Sequence, residues 1–63
     1  MLPLNDKEQA IIELVCKGKT NADIAIVLGT TENTVGNSMR LICAKLDAKN
    51  RAEACANFVK IKK

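Results

Sequence analysis

Histidine, tryptophan and tyrosine are missing from these 63 residues, and Phe58 is the single aromatic side chain. Proteins that grip single-stranded nucleic acid stack bases on aromatic rings, so that mode is excluded. The lack of histidine removes the usual general base. It also removes the Cys/His ligand sets of zinc sites, and the cysteines at 16, 43 and 55 form no Cys-x-x-Cys pair. No nucleophile motif or paired carboxylates stand out, and a helical chain this short has little room for a cleft of ~300 Å³. Neither an enzyme nor a bound metal or cofactor is therefore expected. No apolar run approaches the ~20 residues that span a bilayer. The opening "MLPLNDKEQ" lacks the basic and long apolar regions of a signal peptide. The expected location is the cytoplasm, with no membrane partner.

What the chain does have is 48% hydrophobic residues, enough for a globular fold. Its length fits one domain, residues 1–63, with a small core that oligomerisation would help to stabilise. Each cysteine falls among apolar neighbours and reads as a reduced, buried small hydrophobe. Redox sensing is the alternative, and Lys17 beside Cys16 is the one visible feature that would lower a thiol pKa.

Four helix starts can be read. Asn5 with Glu8, Thr20 with Asp23 and Asn50 with Glu53 have the spacing of capping boxes, and Thr31 with Glu32 suits a helix start. Gly18 and Gly29 are fitting stops. These signals predict an all-α chain with helices at about residues 6–17, 21–28, 32–46 and 51–61. The first helix turns Ile11, Leu14 and Val15 inward, with Ala10 and Ile12 beside them. The second uses Ile24, Ala25 and Leu28. Val35, Met39, Ile42 and Leu46 form one stripe of the third, leaving Asn33, Gly36, Asn37, Arg40 and Ala44 on the opposite face. In the fourth, Ala54, Phe58 and Ile61 follow one face with Cys55 and Val59 alongside, and the basic tail "KIKK" is expected to fray.

Two helices joined by a short turn containing glycine make a helix-turn-helix, here from Thr20 to about Leu46. The second helix of such a pair enters the major groove, which is ~12 Å wide and admits one α-helix. Double-stranded DNA is the expected partner. The segments "KTNADIA", "LGTTENTV", Ile42 with Lys45-Leu46, and "NRAEA" at 50–54 occur in this order. In that combination the chain resembles, from about Leu4 to Ala54, the LuxR-type (GerE-type) DNA-binding domain of bacterial transcription regulators. The resemblance implies a four-helix domain, a third helix that reads the groove and a fourth that forms a homodimer contact. It implies that Thr20, Asn21, Thr31 and Thr34 approach phosphates, that Gly36, Asn37 and Arg40 face bases, and that Lys45 lies near the backbone. Asn33 shares the outer face, and Lys49 and Arg51 add nearby positive charge. The dimer seam is expected at Ala54, Cys55, Phe58 and Val59. Relatives often carry a sensory or receiver domain upstream, so the chain reads either as a small regulator or as one domain of a longer one.

The sequence also departs from that pattern. The family usually has a basic residue where Gly36 stands and a histidine where Ser38 stands, and often two basic residues at Ile26 and Val27. Residues 20–39 contain no Lys or Arg but include Asp23 and Glu32, which makes this segment −2 and leaves +5 on the rest for a chain total of +3. One explanation is close approach: glycine lets the helix backbone sit deep in the groove while Asn37 and Arg40 read bases. The other is a protein-interaction module of the same fold with weak or no DNA binding. It would modulate a partner regulator, forming heterodimers through the fourth helix, with Ile26, Val27 and Leu41 as an aliphatic partner surface; the plain alternative for Ile26 and Val27 is packing on the first helix or on the chain ends. For Arg40, Asn37, Lys45, Lys49 and Arg51 the plain alternative is a solvated surface group.

Overall fold

The computed structural model describes residues 3–62, with side chains to residue 61. Four helices follow one another: α1 (Asp6–Cys16), α2 (Asn21–Leu28), α3 (Glu32–Lys45) and α4 (Arg51–Lys62). There is no strand among the described residues. The first three starts are capped as their sequences require. Asn5 Oδ1 accepts from the Glu8 N–H at 2.8 Å while the Asn5 N–H donates to Glu8 Oε1 at 3.0 Å. Thr20 and Asp23 make the same reciprocal pair at 3.1 and 3.3 Å. Thr31 Oγ1 accepts from the Thr34 N–H at 3.2 Å. At α4 the box is skewed by one residue. Asn50 Oδ1 accepts from the Glu53 N–H, but the Glu53 carboxylate reaches back to the N–H of Lys49.

The helix ends share one closure. After α1, with Gly18 at φ 84°, the Lys19 N–H donates to Leu14 O. After α2, with Gly29 at φ 66°, the Thr30 N–H donates to Ala25 O. After α3 the Ala48 N–H donates to Cys43 O, and Asp47 takes the left-handed position at φ 55°. This last stop carries no glycine signal, and aspartate tolerates the left-handed region better than most residues. The expected ends shift accordingly: α1 ends at Cys16 rather than at 17, and α3 at Lys45 rather than at 46.

The core joins Ile11 and Ile12 of α1, Ile24 and Ala25 of α2, Val35, Met39 and Ile42 of α3, Leu46, and Ala54 and Phe58 of α4. The whole expected stripe of α3 is thus inside. Six of these side chains have no exposed surface and large volume, and each such isoleucine or leucine contributes about 1.5–3 kcal/mol. On α1 the deepest positions are Ile11 and Ile12, with Leu14 and Val15 half-buried against them. Two expectations for α4 are corrected. Ile61 is 52% exposed, because α4 runs past the end of the core. Residues 60–62 of the basic tail remain helical, and Lys63 lies outside the described residues.

The cysteines require a further correction. Cys16, the last residue of α1, and Cys55, on the flank of α4, are joined in a disulfide with Cα atoms 5.4 Å apart. Because α1 and α4 pack side by side, two residues 39 positions apart in sequence meet. Cys43 alone is free, half-buried in α3. Burial pushes its thiol pKa up, and the Glu53 carboxylate adds to this while Arg51 opposes it.

Candidate nucleic-acid interface

With its inner stripe sealed, α3 turns Asn33, Asn37, Arg40, Leu41 and Ala44 to solvent. Asn33, Asn37 and Arg40 lie three or four residues apart and therefore line one flank. No described residue engages the Arg40 guanidinium, so its five donors are available to an acceptor. Gly36 is half-buried on the edge of this flank, where a Cβ would meet only Asn21 Nδ2 at 3.9 Å. The notch is therefore open: a methyl group would fit without displacing anything.

The start of α2 is close by. Asn21 brings its amide to the side of Gly36 and accepts on Oδ1 from Arg51 Nη1 at 3.2 Å. Arg51 Nη2 also donates to Lys19 O at 3.1 Å. The guanidinium thus ties the beginning of α4 to the beginning of α2 and leaves the Asn21 Nδ2 donor facing the Gly36 notch. The Thr31 and Thr34 hydroxyls are 3.0 Å apart, so one donates to the other and one proton is left over. The first N–H groups of α2 and α3 have no partner within their helices, and such groups suit anionic oxygens.

The basic residues separate into two sets. Lys45 is committed inward: its Nζ lies 2.7 Å from Oε1 of Glu8, whose residue is 6% exposed. That ammonium and the Asn5 N–H hold the Glu8 carboxyl below the usual carboxylate range, against the opposing effect of burial. Arg51 is likewise engaged with Asn21 and Lys19. Arg40 and Lys49 remain exposed.

Of the four residues expected at a dimer seam, Ala54 and Phe58 lie in the chain's own core and Cys55 is bonded to Cys16. Val59, 48% exposed, is left on the outer side of α4 together with Ala52, Ala56 and Lys60. Sequence reasoning passed over Glu8 as more than a cap. It also passed over Asn57, whose Nδ2 donates at 2.8 Å to Leu46 O and pins α4 to the end of α3. Neither residue carries a local signal, since both partners are remote in sequence.

No group of three or more His, Cys, Asp or Glu side chains among the described residues could hold a metal ion. No helix of the described residues is long and apolar enough to cross a membrane.

Residues 2–57 match the family described as bacterial regulatory proteins, luxR family. The chain is 44% identical over 52 residues to the transcriptional regulatory protein DesR of Bacillus subtilis, covering 82% of this chain and 26% of DesR. It is 44% identical over 54 residues to the uncharacterized transcriptional regulatory protein YvfU of the same organism, covering 86% of this chain and 27% of YvfU. To the transcriptional activator protein AhyR of Aeromonas hydrophila it is 36% identical over 56 residues, 89% of this chain and 22% of AhyR. The chain thus spans about a quarter of the length of these relatives. Four capped helices, an α2–turn–α3 unit with one polar flank outward, and the match over residues 2–57 lead to one conclusion: the chain belongs to the LuxR family of bacterial regulatory proteins and has the all-α fold of its helix-turn-helix DNA-binding domain.

Proposed function

We propose that the domain binds specific double-stranded DNA as a homodimer in the cytoplasm and regulates transcription by occupying promoters. The observation that carries this reading is the exposed flank of Asn33, Asn37 and Arg40, on a helix whose other side is anchored by fully buried Val35 and Ile42. Asn37 suits adenine and Arg40 suits guanine through paired hydrogen bonds in the major groove. Thr20, Asn21, Thr31 and Thr34 hold phosphates on either side, Lys49 adds charge at the far end, and Gly36 lets the backbone come close. Lys45 and Arg51 act from behind as struts, Lys45 on Glu8 and Arg51 on Asn21.

The size of the domain is compatible with a dimer on DNA. The domain measures 27 × 20 × 19 Å, less than the ~34 Å of one DNA turn. One copy reads one half-site, and two copies related by a dyad read an inverted repeat. The seam then runs along the outer side of α4, through Ala52, Ala56 and Val59 beside Cys55, with Ala54 and Phe58 supporting it from beneath.

A second reading rests on Ile26, Val27 and Leu41, which are 79%, 62% and 59% exposed. Such a surface fits a module that modulates a partner regulator. Fluorescence anisotropy on random-sequence duplex at a series of salt concentrations separates the two readings. DNA binding predicts affinity that falls steeply with salt, and no association at ~50 mM salt would favour the partner module.

A further inference from the structure

We infer that Cys16 and Cys55 form a reversible thiol switch, which in its oxidised state clamps α4 onto α1 and so sets dimerisation and DNA affinity. This inference rests on the homodimer reading above. Three features of the structure carry it.

The first is placement. The bond joins the last residue of α1 to the middle of α4, and the chain between them contains all of α2 and α3. One crosslink therefore encloses the entire helix-turn-helix. Its Cα separation of 5.4 Å lies within the ~4.4–6.8 Å that disulfides span, so thiols at these positions are already poised to react.

The second is how α4 is otherwise held. Among its described side chains Ala54 and Phe58 are buried core, and Asn57 and Arg51 add hydrogen bonds to Leu46 O, Asn21 and Lys19. The proposed seam lies on the same helix. A helix that loosens on its own domain cannot present a fixed face to a second copy.

The third is access. Cys16 is exposed at the edge of a groove of about 320 Å³ lined by Glu13, Cys16, Lys17, Phe58 and Val59. Cys55 is half-buried behind it, and Cys43 sits apart in α3. A regulator of transcription works among reduced thiols, where the disulfides that do form are usually transient or redox-sensing.

The chemistry needs a low-molecular-weight disulfide as oxidant. The Cys16 thiolate attacks one of its sulfurs, releasing one small thiol and leaving a mixed disulfide on Cys16. The Cys55 thiolate then attacks the Cys16 sulfur and expels the second small thiol. Two protein thiols are oxidised, one small disulfide is reduced to two thiols, and the two protons leave with them. A small dithiol reverses the sequence.

The test equilibrates the purified domain in glutathione/glutathione disulfide buffers. Free thiols are trapped with a maleimide, and sedimentation and anisotropy on random-sequence duplex are then measured at ~50 mM salt. The expected result is one intramolecular bond between 16 and 55 with Cys43 unreacted. The oxidised form should bind DNA roughly tenfold more tightly, within the ordinary range of coupling between sites, and self-associate more strongly. Dithiothreitol should reverse both effects, and Cys16→Ser should lose them while Cys43→Ser keeps them. Failure of the bond to form under glutathione disulfide overturns the inference. So does a bond that leaves affinity and self-association within twofold, or that weakens them. If Cys16→Ser does not fold by circular dichroism, the oxidised and reduced native chain still decide. If the reduced and oxidised forms both fail to bind DNA, the functional reading falls, and the switch falls with it as a control of DNA affinity. If the reduced form binds and oxidation changes nothing, only the switch falls.

Discussion

At the scale of single residues, the Lys45–Glu8 pair links a helix cap to the C-terminal end of α3. Glu8 is nearly buried and accepts from both Lys45 Nζ and the Asn5 N–H. Removing the ammonium leaves that carboxylate without its strongest partner, so Lys45→Ala should destabilise the fold by about 1–3 kcal/mol in urea titrations. The folded pKa of Glu8 is lowered, so its contribution is complete above the unfolded value near ~4.3 and lost as pH falls through the folded value. Glu8→Gln should therefore lower stability at pH 7 and flatten the acid limb of a stability–pH curve. The family resemblance implies a place for Lys45 near the DNA backbone. The partner that holds it is 37 residues away, and no local pattern reports it.

The glycines give opposite predictions. Gly29 sits at φ 66° with nothing within 4 Å of a Cβ, so Gly29→Ala should cost about 1 kcal/mol from backbone strain alone. Gly36 is an ordinary helical residue with an open notch beside it. Gly36→Ala should stabilise the free domain by about 0.5–1 kcal/mol in urea titrations, yet weaken duplex binding if close backbone approach matters.

At the scale of elements, each helix start was legible because capping is local: an oxygen at the N-cap, an acid three residues on at three of the four starts and Glu32 in the first turn of the other, and an apolar stripe behind. The stripe of α3 was legible for the same reason, since Val35, Met39, Ile42 and Leu46 recur at helical spacing and are all buried. Docking of α4 was legible only in part. Ala54 and Phe58 read correctly as an apolar face, but nothing in the sequence says whether that face meets the chain's own core or a second copy. The Cys16–Cys55 pairing was hidden because it depends on how α1 lies against α4. Crosslinking residues 39 positions apart restrains the unfolded chain. Reduction should therefore lower stability by about 2–4 kcal/mol, read as a drop of roughly 15–30 °C in thermal midpoint for a domain this small.

At the scale of the whole molecule, the net charge of +3 overstates what the proposed DNA-facing side offers. Residues 20–39 are net negative, and two of the cations nearby, Lys45 and Arg51, are engaged within the fold. In the proposed dimer, two copies presenting Arg40 and Lys49 would bring four cations to the duplex. The slope of log affinity against log salt should then be about −4, shallower than for proteins making 6–10 phosphate contacts. Specificity must rest correspondingly more on hydrogen bonds to bases.

The proposed DNA reading therefore depends on the outer flank of α3. The direct measurement is anisotropy on a duplex selected from a random library, comparing the native domain with Asn37→Ala/Arg40→Ala at matched salt and confirmed folding. A base-reading flank predicts a loss of roughly thirtyfold or more on the selected duplex, with a much smaller loss on random duplex. Equal affinity of the two proteins for the selected site would contradict it.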